Sequence, residues 1–198
     1  TFTTSIDGAD ATTDDLTIEG GDGSITLVTV GGSTGLDSFV VNSSALTISN
    51  NITTVNGLID INAPVTLGGS NIVISSGSGT GNVEFNSTIT GSKDLDILSG
   101  SGAVTITGNI GTGGTPLTSL DINQTGGTGS INIFGNIGTD TASGAGIVRI
   151  GNDGTTGTIT FGTSGTAGDY FTTGAQTYIA DGYSLLGTDP DFNASSEN

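Results

Sequence analysis

The chain has 198 residues and a formal net charge of −17, with only two basic residues against 19 acidic ones. This charge argues against nucleic acid and anionic membrane surfaces as partners, since binding their phosphates requires clusters of Lys and Arg. Cys and His are absent, so disulfides, thiolate chemistry, Ser-His and Cys-His catalytic pairs and zinc sites are excluded. No apolar run approaches the roughly 18 residues that a membrane-spanning helix needs, so no membrane insertion is expected.

Apolar residues make up 32% of the chain, against roughly 45–50% in ordinary globular proteins. Disorder would explain a low apolar content, but disordered chains lack β-branched residues with a fixed period. A solenoid explains both observations because its core is one narrow column that few apolar side chains can fill. The composition therefore favours a thin repeat fold.

Short strands are predicted along nearly the whole chain, all but the last with apolar residues at their first and third positions, and with Gly, Ser, Thr or Asn around them. No helical segment lies between them, which is typical of a β-solenoid. In chain order the predicted strands cover residues 16–18, 25–27, 39–41, 46–48, 59–61, 65–67, 72–74, 83–85, 95–97, 104–106, 120–122, 131–133, 148–150, 159–161 and 177–179.

Two of these segments are nearly identical. Residues 104–111 and 131–138 share the pattern Φ-x-Ile-x-Gly-Asn-Ile-Gly, 27 positions apart. Because side chains alternate along a strand, Val104 and Ile106 are predicted to point inward, and Thr105 and Thr107 toward solvent. Glycines are expected at the corners, where they allow positive φ and close approach of neighbouring coils.

An antiparallel sandwich is the alternative fold, because Asn56-Gly57 and Asp153-Gly154 are typical hairpin turns. Most connections are longer and the motifs repeat in register, which favours parallel coils. Residues 1–186 are interpreted as one solenoid, made of two long repeats at about 1–80 and 81–162 and a last rung. Residues 187–198 are predicted to be a linker or tail. No signal peptide precedes Thr1, so we interpret the chain as a mature or excised piece of a longer protein.

Three motifs carry a family resemblance: Gly157-Thr-Ile-Thr-Phe161, Leu117-Thr-Ser-Leu120-Asp-Ile122 and Gly174-Ala-Gln-Thr-Tyr178. They resemble the β-strand repeats of very large secreted bacterial proteins of the filamentous-haemagglutinin and adhesin type, over most of residues 1–186. The resemblance implies a right-handed parallel β-helix, with Gly/Ser/Thr/Asn-rich turns, that serves as a stalk or surface fibre. It also implies an extracellular location at the bacterial cell surface.

Catalysis is not expected, and no cofactor is implied. The basic residues Lys93 and Arg149 lie far apart in sequence, and the glutamates Glu19, Glu84 and Glu197 have no aromatic-rich surroundings. The alternative is a carbohydrate-binding or carbohydrate-active β-helix with paired carboxylates. Four residues form the aromatic cluster that would line its groove, namely Tyr170, Phe171, Tyr178 and Tyr183.

Two groups of aspartates are weak calcium candidates, since calcium prefers oxygen-rich loops. The glycine-rich segments at residues 20–25 and 126–131 approach a calcium-binding nonapeptide, but Ile25 and Ile131 stand where Asp is required, which favours plain turns. The candidate residues are Asp7, Asp10, Asp14 and Asp15 in one group, and Asp181, Asp189 and Asp191 in the other.

Outward threonines, as in residues 105–107 and 158–160, suggest an ice-binding surface as a less favoured alternative, because coil lengths vary. The ends of a solenoid expose unpaired backbone unless they are capped. Copies stacked end to end, or neighbouring repeats of a longer chain, are therefore the expected partners, together with surface glycans. The predicted function is a non-enzymatic structural or adhesive module of an extracellular fibre.

Overall fold

The computed structural model describes residues 1–10, 13–139, 144–152, 157–164, 168–187 and 191–194. Throughout these residues the fold is all-β and contains no helix, so no helix is available to cross a membrane. Every pairing between its strands is parallel, and the chain winds into a β-solenoid of about 7 turns. The predicted parallel solenoid is thus confirmed, and the antiparallel alternative is wrong.

The strands are short except for the first two. Their bounds are β1 Asp15–Leu27, β2 Ser38–Ile48, β3 Ile52–Thr53, β4 Ile59–Asn62, β5 Val65–Leu67, β6 Asn71–Ser75, β7 Val83–Phe85, β8 Ile89–Thr90, β9 Asp94–Leu98, β10 Val104–Ile106, β11 Ser119–Ile122, β12 Ile131–Ile133, β13 Ile147–Gly151, β14 Thr158–Phe161, β15 Asp169–Thr172, β16 Gln176–Ile179, β17 Gly182–Leu185 and β18 Asp191–Ala194.

Each turn of the chain crosses three faces in the same order, and every face is a ladder of parallel segments. Face 1 holds the first half of β1 and of β2, then β4, β7, β10, β12, β14 and β17. Face 2 holds the second half of β1 and of β2, then β5, β8, β15 and β18, with Ile110 and Ile137 bridging the middle turns. Face 3 starts at Ile6 and Val30 and continues through β3, β6, β9, β11, β13 and β16.

Inward side chains from the three faces form one continuous column. On face 3, for example, Ile52, Ile74, Ile97, Ile122 and Ile150 occupy successive partner positions, and all five are fully buried. The alternation is the expected one, because Val104 and Ile106 are buried whereas Thr105 lies half-exposed and Thr107 exposed. Burying one such aliphatic side chain contributes roughly 1.5–3 kcal/mol. The column is therefore the main source of stability in a chain with few apolar residues.

The corners explain part of the glycine content. A Cβ at Gly129 would lie 1.7 Å from the carbonyl oxygen of Gly102, one turn earlier, and a Cβ at Gly57 would lie 1.3 Å from the carbonyl oxygen of Asp37. Both obstructing atoms belong to the backbone, so they have little freedom to move away. The residue before Gly57 is Asn56, which has a φ of 63°, a left-handed conformation that Asn tolerates better than most residues.

Three features differ from the sequence prediction. β1 and β2 each run without interruption around a corner, where two separate strands were expected. Asp191–Ala194, predicted as tail, forms β18 and pairs with β15 on face 2. The two expected long repeats align Ile25-Thr-Leu27 with Val104-Thr-Ile106, 79 positions later, but Ile25 lies on face 2 and Val104 on face 1. The structural repeat is the single turn.

Candidate functional site

Three charged residues of face 3 stand in one outward row across consecutive turns. Val73, Asp96, Asp121, Arg149 and Thr177 occupy successive partner positions on β6, β9, β11, β13 and β16. Strands in a sheet lie about 4.8 Å apart, so each of these side chains stands directly beside the next. Two carboxylates and a guanidinium from distant parts of the sequence are thereby brought together.

Arg149 binds Asp121 through two hydrogen bonds. Its Nε donates to Oδ1 at 2.6 Å, and its Nη2 donates to Oδ2 at 2.5 Å. The Asp121 side chain is only 13% exposed, whereas that of Arg149 is 42% exposed. This two-pronged geometry orients the guanidinium more firmly than a single contact would. It is the only salt bridge among the residues that the structure describes.

Asp96 lies on the other side of Asp121, away from Arg149. Partial burial, followed by the charge and hydrogen bonding of Asp121, raises the pKa of Asp96 above its ordinary value of 3.8. Asp94 adds to the increase, and Arg149 opposes it. The next position in the row is Val73, so β6 supplies no cation at this position. Asp96 therefore keeps its proton to a higher pH than a free aspartate does.

A shallow groove runs from this row to the neighbouring corner. Its narrower part, about 180 Å³, is lined by Asp96, Asp121 and Arg149, together with the amide of Gln124. Its wider part, about 360 Å³, shares Leu98 and Thr125 with the first. The remaining lining of the wider part consists of small residues from three turns, namely Ser75, Gly77, Ser78, Gly100, Ser101, Gly126, Gly127 and Thr128.

Buried asparagine contacts hold the turn that forms one wall of this groove. Asn123 is fully buried, has a φ of 53°, and accepts a hydrogen bond from the backbone N–H of Ser99 at 2.9 Å. The side-chain amide of Asn152 donates to the carbonyl of Asn123 at 2.7 Å and to that of Gly127 at 3.0 Å. Because these bonds cross between turns, the groove wall is part of the solenoid framework.

The pairing of Arg149 with Asp121 was not predicted from the sequence, in which Arg149 was considered only with Lys93, a basic residue far away in the chain. A signal was present, because Leu95-Asp-Ile97, Leu120-Asp-Ile122 and Val148-Arg-Ile150 repeat one pattern with a charged residue in its middle. Those middle positions become neighbours once each pattern is assigned to a successive turn. The glutamates in the described residues lie on face 1, where Glu19 accepts from Asn42 and Glu84 from Asn82, while Glu197 lies outside the described residues.

Of the four aromatic residues proposed to line a sugar-binding groove, Tyr170 lies in the core, Tyr178 is partly buried against it, and Phe171 and Tyr183 lie outside it. Tyr170 is fully buried and packs edge-on against Phe161, with ring centroids 4.9 Å apart. Its hydroxyl donates to the carbonyl of Ile133 at 3.1 Å. Burial raises the pKa of Tyr170 to about 12 and raises the pKa of Tyr178 further. The expectation of a surface cluster is therefore wrong for Tyr170, which fills the last turns of the column.

The C-terminal end of the column is apolar and partly open. Tyr183 and Leu185 on β17 are 54% and 55% exposed, although they occupy inward positions, and Phe192 on β18 stacks on Tyr170 with centroids 4.8 Å apart. A groove of about 430 Å³ is bounded here by these side chains. The other residues that line it are Phe161, Gln176 and Tyr178.

The N-terminal calcium candidates make hydrogen bonds within the protein. Asp7 accepts from the backbone N–H of Ser33 at 2.7 Å, and this bond is the largest cause of the lowered pKa of Asp7. Asp14 accepts from the backbone N–H of Asp10 at 2.7 Å, and Asp15 accepts from the hydroxyl of Ser38 at 2.6 Å.

At the other end, Asp181 lies in the turn before β17 and Asp191 begins β18, whereas Asp189 lies outside the described residues. Among the residues with assigned positions, no group of three or more acidic side chains is arranged to hold a metal ion.

Outward threonines do not form a continuous row on face 1. Thr105 stands between Glu84 and Asn132, and Thr160 stands between Asn132 and Ser184. An ice-binding ladder requires threonine at the same position in successive turns. The arrangement on face 1 lacks that regularity, whereas face 2 has threonine at four successive partner positions, namely Thr26, Thr47, Thr66 and Thr90.

No family model, no curated protein and no solved structure matches this chain.

Proposed function

We propose that this protein is a structural and adhesive rod segment of an extracellular bacterial surface fibre, and that it does not act as an enzyme. The continuous aliphatic column supports the proposal most strongly. Because every turn is bonded to the next through parallel ladders on three faces, bending or stretching the rod requires breaking backbone bonds and core contacts together. A stiff rod with polar outward residues is suited to carrying a binding surface away from a cell.

The fibre is proposed to grow by end-to-end stacking with a second copy of the chain. Within the described residues, β16, β17 and β18 are each paired along one edge only. β1 pairs with β2 along one edge, and along the other the Thr26 carbonyl accepts the backbone N–H of Phe2. Stacking the C-terminal end of one copy on the N-terminal end of another preserves the parallel direction of the strands. It would also cover Tyr183 and Leu185, which are the most exposed large apolar side chains of the described structure.

Charge opposes this association at low ionic strength. Asp7, Asp14 and Asp15 lie at the N-terminal end, Asp181 and Asp191 lie at the C-terminal end, and the whole chain carries a formal net charge of −17. Like charges at both ends repel, and salt screens that repulsion over a Debye length of about 8–10 Å. Stacking is therefore expected to strengthen as salt is added.

Electron microscopy and sedimentation at increasing salt and protein concentration test this proposal. We expect rods whose length grows in steps of one subunit, and a Leu185→Asp variant that stays monomeric. Ile147→Asp is the matched control, since Ile147 is 40% exposed but lies on β13, which is paired along both edges and is therefore not at the end of the rod. A wild-type protein that remains monomeric at millimolar concentration and high salt would refute stacking. Equal effects of the two variants would refute the assignment of the interface.

Oligosaccharide binding in the groove beside Asp96 is the second candidate function. The groove combines an Asp–Arg pair with a further carboxylate and several hydroxyls, and polar groups of this kind can bind sugar hydroxyls. A glycan array with a hydrolysis readout tests binding and turnover separately. Asp96→Asn should weaken glycan binding, whereas Asp60→Asn on face 1 should not. If the wild-type protein retains no glycan on the array, this candidate function is excluded.

A further inference from the structure

Five segments of the chain have the pattern Asn-x-Ser/Thr, in which the asparagine amide can be joined to a sugar. The pattern is short, so the fold must decide which of these asparagines can carry a bulky hydrophilic group. The five asparagines are Asn42, Asn51, Asn86, Asn123 and Asn193.

Three of the five are held within the framework of the solenoid. Asn123 is fully buried and bonded to Ser99, so a sugar at its amide would displace core atoms. Asn51 is half-buried, and its side-chain oxygen accepts the backbone N–H of Val73 at 2.9 Å, which links two turns. Asn42 is half-buried within β2, where its amide donates to Glu19 at 2.7 Å.

Asn86 differs from these three in both exposure and backbone setting. It is exposed, and it directly follows β7 in the turn that leads around the corner to β8. Its own backbone N–H donates to Ile61 at 2.9 Å, which anchors the turn while the side chain projects outward. Asn193 is also exposed, but Ser195, the third residue of its pattern, lies outside the described residues.

Both amide hydrogens of Asn86 are donated to the preceding turn. Its amide donates to Asp60 Oδ1 and to Asn62 Oδ1, each at 2.9 Å, and both acceptors belong to the preceding turn. A sugar on Nδ2 takes the place of one of these hydrogens, so the exposed side chain has to turn away from the preceding turn and both bonds are lost. The folded state therefore tolerates modification at the cost of two exposed hydrogen bonds, while the backbone of the turn stays anchored through the N–H of Asn86.

We propose that Asn86 is an N-glycosylation site of this protein. The donor is an oligosaccharide joined through its anomeric carbon to a diphosphate on a lipid carrier. The Nδ2–C1 bond forms while the bond between C1 and the diphosphate oxygen breaks. The diphosphate leaves with the bonding electron pair, and one amide proton passes to a base of the transferase. The inference does not depend on the proposed fibre function.

The test is secretion of the full chain from a host that transfers lipid-linked oligosaccharide to Asn-x-Ser/Thr, with a proven acceptor sequence appended as an internal control. Peptide mapping after enzymatic release of glycans in H₂¹⁸O marks each occupied asparagine. We expect an occupied Asn86 and unmodified Asn51 and Asn123 in the folded product.

Matched variants assign the modification. Thr88→Ala removes the hydroxyl of the pattern while keeping Asn86, and should abolish the labelled peptide. Ser44→Ala does the same for Asn42 and should leave the glycan mass unchanged. An occupied control sequence with an unmodified Asn86 in wild-type protein overturns the proposal, and so does a glycan that persists in Thr88→Ala. The wild-type result stands even if a variant fails to fold.

Discussion

Truncating one aliphatic side chain in the middle of the column is the most direct test of the fold's energetics. Ile97 on β9 is fully buried and lies between Ile74 and Ile122 on the neighbouring turns. Ile97→Ala removes three carbons, which costs about 2–3 kcal/mol at roughly 0.8 kcal/mol each. The cavity left behind adds to this, and Ile-to-Ala changes in cores cost about 2–5 kcal/mol altogether. We expect about 3–4 kcal/mol here, because rigid turns on both sides limit collapse of the cavity.

Urea unfolding followed by circular dichroism measures this loss. With a slope of roughly 1–3 kcal/mol per molar urea, the midpoint should fall by about 1–4 M. Ile147→Ala is the control, because Ile147 lies on the outer side of face 3 at 40% exposure. Surface substitutions of this kind usually change the free energy of unfolding by less than about 0.5 kcal/mol. If both variants shift the midpoint equally, a single thin core does not govern the stability of this protein.

Three further outcomes follow from the corners, the charged row and the buried tyrosines. Gly129→Ala places a Cβ 1.7 Å from the Gly102 carbonyl oxygen, so it should lower the free energy of unfolding by about 1–3 kcal/mol or more in the same urea titration. Gly126→Ala is the control, because its Cβ meets no atom within 4 Å, and it should change the free energy of unfolding by less than about 1 kcal/mol. Because the pKa of Asp96 is raised in the folded protein, the protonated carboxyl stabilises the fold. This stabilisation is complete below the ordinary pKa of 3.8 and is lost as pH rises through the folded pKa. Asp96→Asn should therefore raise the melting temperature at pH 7 but not at pH 3. An unchanged melting temperature at pH 7 would contradict the proximity of the Asp96 and Asp121 carboxylates. The raised pKa of Tyr170, about 12, means that its contribution is complete below pH 10 and is lost between about pH 10 and 12. Absorbance at alkaline pH should thus show Tyr170 ionising only with unfolding, and a Tyr170 that titrates near pH 10 in the folded protein would show that it is not buried.

Much of the architecture could be predicted because it depends on local patterns. Alternation of apolar and polar residues identifies strands such as β10 and β12, and the shared motif in residues 104–111 and 131–138 places them on successive turns. The segment Asp169–Thr172 was not predicted as a strand, and neither was Asp191–Ala194. Their pairing depends on the preceding turn of face 2, which supplies the backbone partners.

The charged row of face 3 depends on register, and register is a property of the whole stack. Asp96, Asp121 and Arg149 are separated by connections of unequal length, so counting along the chain does not align them. The Asp96 carboxylate experiences Asp121 only because their turns pack against each other. The aromatic cluster shows the same limit, because the amino-acid types of Tyr170 and Tyr183 do not reveal that one is buried and the other is exposed.

The order of apolar and polar residues by itself determined that this chain forms short strands around a thin core, since side-chain alternation is set by the geometry of each strand. Tertiary structure decided which strands became neighbours, which side chains closed the end of the column and which charges met on its surface. The physical reason is that the turns vary in length while the ladder of backbone hydrogen bonds keeps a constant spacing. Residues far apart in sequence are therefore aligned by the stack and not by the count of residues between them.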